Sequence, residues 1–198
     1  MTAFREVRAD YDRSTIVVYQ AYQEAIADAA LKRQRFAPPF SLGRMTWIKP
    51  SFLWLMERSG WGTKSNQERI LAVRISRTGF DRALSLGVLT HFEEQVNGTS
   101  TRWQQAMTES MVHIQWDPER SLRGAKLEHR SIQIGISRSL IEEYVEEWTQ
   151  TITDLTPLVA KLRRLRREGC YDEARRLLPT EQVYPVEKTT AQRLGMNP

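Results

Sequence analysis

The sequence predicts an α+β domain: a mixed, mostly antiparallel sheet with short helices, closed by a long C-terminal helix. Three observations predict it. Apolar and polar residues alternate in RILAVRIS (69–76), MVHIQW (111–116) and HRSIQIGI (129–136), the period of a half-buried strand. Twice an extended stretch runs straight into a short helical one, at 45–60 and at 69–86. From Leu140 to Leu165 the apolar residues Leu140, Ile141, Tyr144, Val145, Trp148, Ile152, Leu155, Val159, Leu162 and Leu165 keep a helical period.

In chain order, residues 1–13 are polar and form an extended lead-in. STIVVYQAY (14–22) has the β-branched and aromatic content of a buried strand. Residues 24–35 carry alanines at helical spacing, and FAPPFSLG (36–43) is a proline-marked loop. The chain is organised around RMTWIKPSFLWLMERSGWG (44–62), which holds three of the six tryptophans. Its first part is extended, Pro50 stops the strand and suits the first turn of a helix, and that helix ends near Gly60. Residues 69–76 place Ile70, Ala72 and Arg74 on one face and Leu71, Val73 and Ile75 on the other. A short helix over 78–86 follows, then a brief strand or turn at 87–92, an Asn97-Gly98 turn and a helical stretch at 103–107. Asp117-Pro118 ends the next strand, so residues 117–129 are predicted to be a long loop, of the kind that often serves function. In the predicted long helix the early outer positions are acidic and the late ones basic, which suits the helix dipole; Thr156-Pro157 bends it or splits it in two. Gly169 caps it and a second short helix spans 171–178. A single domain over 1–180 with a weakly ordered tail at 181–198 is the resulting organisation.

Composition excludes several classes. No run has the apolar length to span a bilayer, and MTAFREVRADYD has no signal-like apolar core, so a cytoplasmic location and no membrane partner are expected. One cysteine, Cys170, rules out an internal disulfide, and the three histidines show no metal-ligand spacing, so no metal is expected. The phosphate-binding glycine loops, the GxSxG elbow and the HExxH pair are all missing. A net charge of +5 permits an anionic partner without requiring one.

Four groups carry chemistry. Arg44 and Thr46 share one strand face ahead of a helix start, where a guanidinium and a hydroxyl suit a pyrophosphate; Trp47 and Lys49 share the other face. The plain alternative makes the tryptophans core and Arg44 an edge residue. Gln115 and Asp117, with Glu119 and Arg120 beyond, suit a ribose clamp or an acid–base pair at a strand end, or else a capped turn. Glu128, Arg130, Ser131 and Gln133 lead into the following strand and suit either a polar site or a solvated face. Lys161, Arg163, Arg164 and Arg167 form a basic helix end that suits phosphate backbones or plain solvation.

The phrases VYQAY, RMTWIKPSFLW with SGW, IQWDPER and RSIQIGI, in this order over residues 19–148, resemble the family grouped as domain of unknown function 4291. A fainter likeness is to ADP-ribosyltransferases. Arg44-Met45-Thr46 resembles their first strand, with 50–60 as its helix, and 69–86 resembles their second strand and helix. The chain departs from that pattern in lacking a Ser-Thr-Ser motif and a clear glutamate within the late strand. This likeness implies NAD as cofactor, held by Arg44, Thr46 and Gln115, with Trp47 or Tyr19 stacked on nicotinamide and Glu119 or Glu128 steadying the ribosyl cation. The acceptor, nucleic acid or protein, stays open. The competing reading is a non-catalytic nucleic-acid-binding domain that uses Lys161, Arg163, Arg164 and Arg167. A third is a scaffold that pairs through the long helix.

Overall fold

A computed structural model describes residues 2–196. In chain order its elements are β1 (Arg8–Ala9), β2 (Thr15–Tyr22), α1 (Glu24–Arg33), β3 (Thr46–Ile48), α2 (Phe52–Ser59), β4 (Arg69–Ser76), α3 (Arg77–Ser85) and β5 (Gly87–Leu89). Next come α4 (Glu94–Asn97), α5 (Ser100–Glu109), β6 (Val112–Arg120), β7 (Lys126–Ile136), α6 (Ile141–Glu143) and a π-helical turn, Tyr144–Trp148. The chain closes with β8 (Thr149–Asp154), α7 (Thr156–Arg167), α8 (Tyr171–Arg176), β9 (Gln182–Val183) and α9 (Lys188–Arg193). The fold is α+β, as predicted, with most strand pairs antiparallel.

Two sheets make the body. One is β2-β4-β8, antiparallel throughout; the other is β3-β7-β6-β5, in which only β5 and β6 run parallel. They touch where the Tyr19 N–H donates to the Lys49 carbonyl at 2.7 Å, just past β3. The first sheet is covered on both faces, which explains the near-continuous apolar run of β2. Ile16 and Val18, with Leu71, Val73 and Ile75, join Ile48, Ile114 and Ile134 in the main core between the sheets. Val17, Tyr19 and Ile70 pack the other way, against α2 and α7.

Three expectations are corrected. The long C-terminal helix does not form. Residues 149–154, TQTITD, alternate and are rich in β-branched residues, and they take the open edge of β4, with Ile152 opposite Val73. The π turn before them buries Tyr144, Val145 and Trp148 together, so the apolar spacing that reads as one helix is shared among a helical turn, a strand and α7. A surface for pairing through one long helix is therefore absent among the described residues.

The loop predicted at 117–129 is mostly strand. β6 continues to Arg120 and β7 begins at Lys126. Pro118 is tolerated because β5 pairs only with Val112–Ile114, leaving this end of β6 an edge, and the ladder is bulged between Pro118 and Arg120.

The stretch 181–196 is not a loose tail; residues 197–198 lie outside the described residues. β9 pairs with β1, Tyr184 and Leu194 are buried in the main core, and Trp116 donates its indole N–H to the Leu194 carbonyl. Glu181 reaches back to the start of α2 and accepts the Phe52 N–H at 2.7 Å. Burial is the main cause that raises its carboxyl from 4.5 to about 8, and Glu119 and Asp10 nearby push the same way. Between those two values the folded state holds a proton that the unfolded chain has lost. The stabilisation is thus complete below pH 4.5 and is lost as pH rises through about 8. Glu181→Gln keeps an acceptor for Phe52. It is expected to melt several degrees above wild type near pH 9 and level with it at low pH, by circular dichroism. A wild-type advantage at high pH contradicts this.

Candidate functional site

Where β2 and β3 part, a cleft of about 900 Å³ opens. Its floor is one face of β3-β7-β6. Ile48, Ile134 and Ile114 sit opposite one another and point into the core, so the alternate residues Trp47, Lys49, Gln133, Gln115 and Asp117 stand on the other face, at the cleft. Trp47 pairs with Gly135, and a Cβ there would come within 3.0 Å of the indole ring and 2.8 Å of Met45 Sδ. The missing side chain lets the tryptophan lie against the sheet. One wall is α2, through Trp54, Leu55 and Arg58; the other is β2, through Gln20 and Tyr22, with Arg44 at the lip.

Two polar networks fix this surface. On the β2 side, Gln20 accepts from the Tyr144 hydroxyl at 2.6 Å and donates to Thr46 Oγ1 and the Tyr22 hydroxyl, both at 2.8 Å. Burial holds the Tyr22 and Tyr144 phenols well above the usual range, so both stay protonated. On the floor, Asp117 is held from both sides. Gln115 Nε2 donates to Oδ1 at 3.0 Å and Gln133 Nε2 donates to Oδ2 at 2.7 Å. A carboxylate gripped this way is fixed in position, with lone pairs left for a ligand.

The charged side chains that line the cleft are Arg44, Lys49, Arg58 and Asp117, three positive against one negative. Arg44 and Arg58 are exposed and have no ion-pair partner among the described residues. Lys49 is only 6% exposed. Burial first, then the neighbouring Arg58 charge, bring its ammonium down to about 8, against a smaller opposing pull from Asp117.

Of the residues singled out from sequence, Arg44, Thr46, Trp47, Lys49, Gln115, Asp117 and Gln133 line this cleft, and Tyr19, Glu119 and Glu128 do not. Tyr19 is 1% exposed and meets the Phe52 ring edge-on at 5.4 Å on the far face of β2, because it is Gln20, one residue on, that turns to the cleft. Glu119 would share the face of Gln115 and Asp117 in a regular strand. The bulge after Pro118 breaks that alternation, and Glu119 is buried with its carboxylate on the Arg120 N–H at 2.7 Å. Glu128 is exposed near the turn end of β7. The start of α2, expected to receive a pyrophosphate, is already satisfied by Glu181 on Phe52 and by Ser51 Oγ on the Trp54 N–H.

The basic group Lys161, Arg163, Arg164 and Arg167 lies on α7, outside the cleft lining. Lys161 and Arg164 sit 4.0 and 3.9 Å from Glu173 and Glu168, and Arg163 reaches the Trp61 carbonyl. Sequence reasoning gave no role to Gln20, Arg58 or Trp54. The one available signal was Gln20, a polar residue inside an apolar strand, which demands a buried partner.

A family model described as Domain of unknown function (DUF4291) matches residues 6–184. The chain belongs to the DUF4291 family. The matched span covers every residue that lines the cleft, so the site is a feature of the DUF4291 region itself. No curated protein matches the chain. Among the described residues of this DUF4291 chain, no helix is long and apolar enough to cross a membrane.

Proposed function

We propose that the cleft binds a dinucleotide of the NAD type and transfers its ADP-ribosyl group to an acceptor. The observation that carries this reading is that Arg44, Arg58 and Asp117 line one cleft, with Trp47 on its floor. The volume of about 900 Å³ suits a ligand of that size. Arg44 and Arg58 take the pyrophosphate, as guanidinium groups do through paired N–H donors. Trp47 offers a ring face to nicotinamide. Gln115 belongs to the ribose end, beside Asp117.

Asp117 replaces Glu119 and Glu128 as the carboxylate of the reaction. As the bond from ribose C1′ to nicotinamide nitrogen breaks, its electron pair leaves with nicotinamide and positive charge grows on the ribose. A carboxylate already held in place by two amides stabilises that charge without reorganising. The acceptor nucleophile then bonds to C1′ and loses its proton. The nucleic-acid-binding alternative has less support: of its four basic residues two face acidic neighbours and a third is engaged with Trp61. The test is release of nicotinamide from NAD by the full chain, followed by chromatography. Release above the protein-free rate is expected; none at millimolar NAD contradicts the proposal.

A further inference from the structure

The NAD reading leaves one charged residue of the cleft, Lys49, without a role. We propose that Lys49 is a nucleophilic amine that captures the carbonyl carbon of a phosphorylated aldehyde or reducing sugar as a Schiff base.

Four features of the structure point to this. Lys49 lines the cleft although it is only 6% exposed, so the amine is reached from the cleft and from little else. It makes no ion pair among the described residues, and the nearby carboxylate, Asp117, is already engaged by Gln115 and Gln133. Arg58 stands close enough to oppose a second positive charge. Arg44 and Arg58, exposed at the same cleft, are placed to hold the phosphate of the incoming ligand. An amine held at about 8 is roughly one-tenth neutral at pH 7, against roughly one part in three thousand for an ordinary lysine. That difference of about two orders of magnitude in free base is what lysine carbonyl chemistry uses.

The step balances without an outside reagent. The lone pair of Nζ forms a bond to the carbonyl carbon while the carbonyl π pair moves onto oxygen. Both amine protons pass through solvent to that oxygen, which leaves as water, and a carbon–nitrogen double bond remains. Nothing is oxidised or reduced.

Pyridoxal 5′-phosphate, an aldehyde with a phosphate, is the probe. The wild-type chain is incubated with a substoichiometric amount near neutral pH, reduced with borohydride, and digested for peptide mass spectrometry. The sequence has six lysines, and the other five, Lys32, Lys64, Lys126, Lys161 and Lys188, are all exposed. Lys49 is expected to carry most of the label, at least about tenfold above any other lysine, and pyridoxal without the phosphate is expected to label it far less. Labelling that follows exposure, or equal labelling by pyridoxal, overturns the proposal. No variant is needed, so misfolding cannot obscure the result. NAD plays no part in this test, and so its outcome is separate from that of nicotinamide release.

Discussion

Asp117→Asn is expected to lower the turnover number for nicotinamide release by roughly 10²–10³-fold, the cost of removing one preorganised electrostatic partner of a transition state. The geometry allows a sharper expectation than loss alone. Both carboxylate oxygens of Asp117 are acceptors for glutamine amides, at 3.0 and 2.7 Å. An asparagine offers one oxygen and one N–H₂ group, so one glutamine amide then faces a donor and has to turn over to present its own oxygen. Gln115 and Gln133 are free to do so, because neither is held by another side chain among the described residues. The variant should therefore fold, and KM for NAD should change far less than kcat, because the substitution leaves Arg44 and Arg58, the proposed pyrophosphate ligands, untouched. Steady-state kinetics of wild type and variant separate the two parameters. A kcat within about twofold of wild type would remove Asp117 from the reaction.

The largest effect on stability is expected at Gly79, outside the cleft lining. A Cβ at this position would come within 2.6 Å of Trp148 Cδ2 and 2.7 Å of Cδ1. Neither side can yield cheaply. Trp148 is buried in the main core, packs edge-on against Tyr144 and donates its indole N–H to Glu143 at 2.9 Å. Gly79 lies in the first turn of α3, where its N–H is bonded to the Ser76 hydroxyl. Overpacking of this kind costs about 1–3 kcal/mol, so Gly79→Ala should lower the melting temperature by roughly 2–12 °C. Gly43→Ala is the control: its Cβ would meet only Ser41 Oγ, at 3.7 Å, and its melting temperature should be unchanged. Equal melting of the two variants would mean that α3 and the π turn do not pack as described.

What the sequence made legible follows from how local each signal is. The alternation in 69–76 and 111–116 gave β4 and β6 and even the two faces of β4, because each face meets a different apolar layer. The extended-then-helical change at Pro50 marked β3 and α2. The helical period over 140–165 misled, because in TQTITD the local β preference and the open edge of β4 outweigh a pattern set mainly by the residues on either side. The tail was illegible for a related reason: its partners β1 and α2 lie more than a hundred residues earlier, and only packing declares them. In the site, Trp47 and Gln115 were visible as unusual residues on strands, whereas Arg44, expected to share a strand face with Thr46, lies in the bend just before β3. The choice of carboxylate was not. A single bulge after Pro118 decides that Asp117 lines the cleft and Glu119 does not, and no spacing in WDPER announces a bulge.

The claim on which the account rests is that the cleft's unpaired guanidinium groups exist to hold a pyrophosphate. Calorimetric titration of NAD into wild type and into an Arg44→Ala, Arg58→Ala double variant tests it most directly. Two lost charge-assisted hydrogen-bonding groups, at about 1.5–3 kcal/mol each, should weaken binding by roughly a hundredfold or more while the melting temperature holds, since both side chains are exposed. Equal affinity in the two proteins, or no heat of binding to wild type at millimolar NAD, would contradict it.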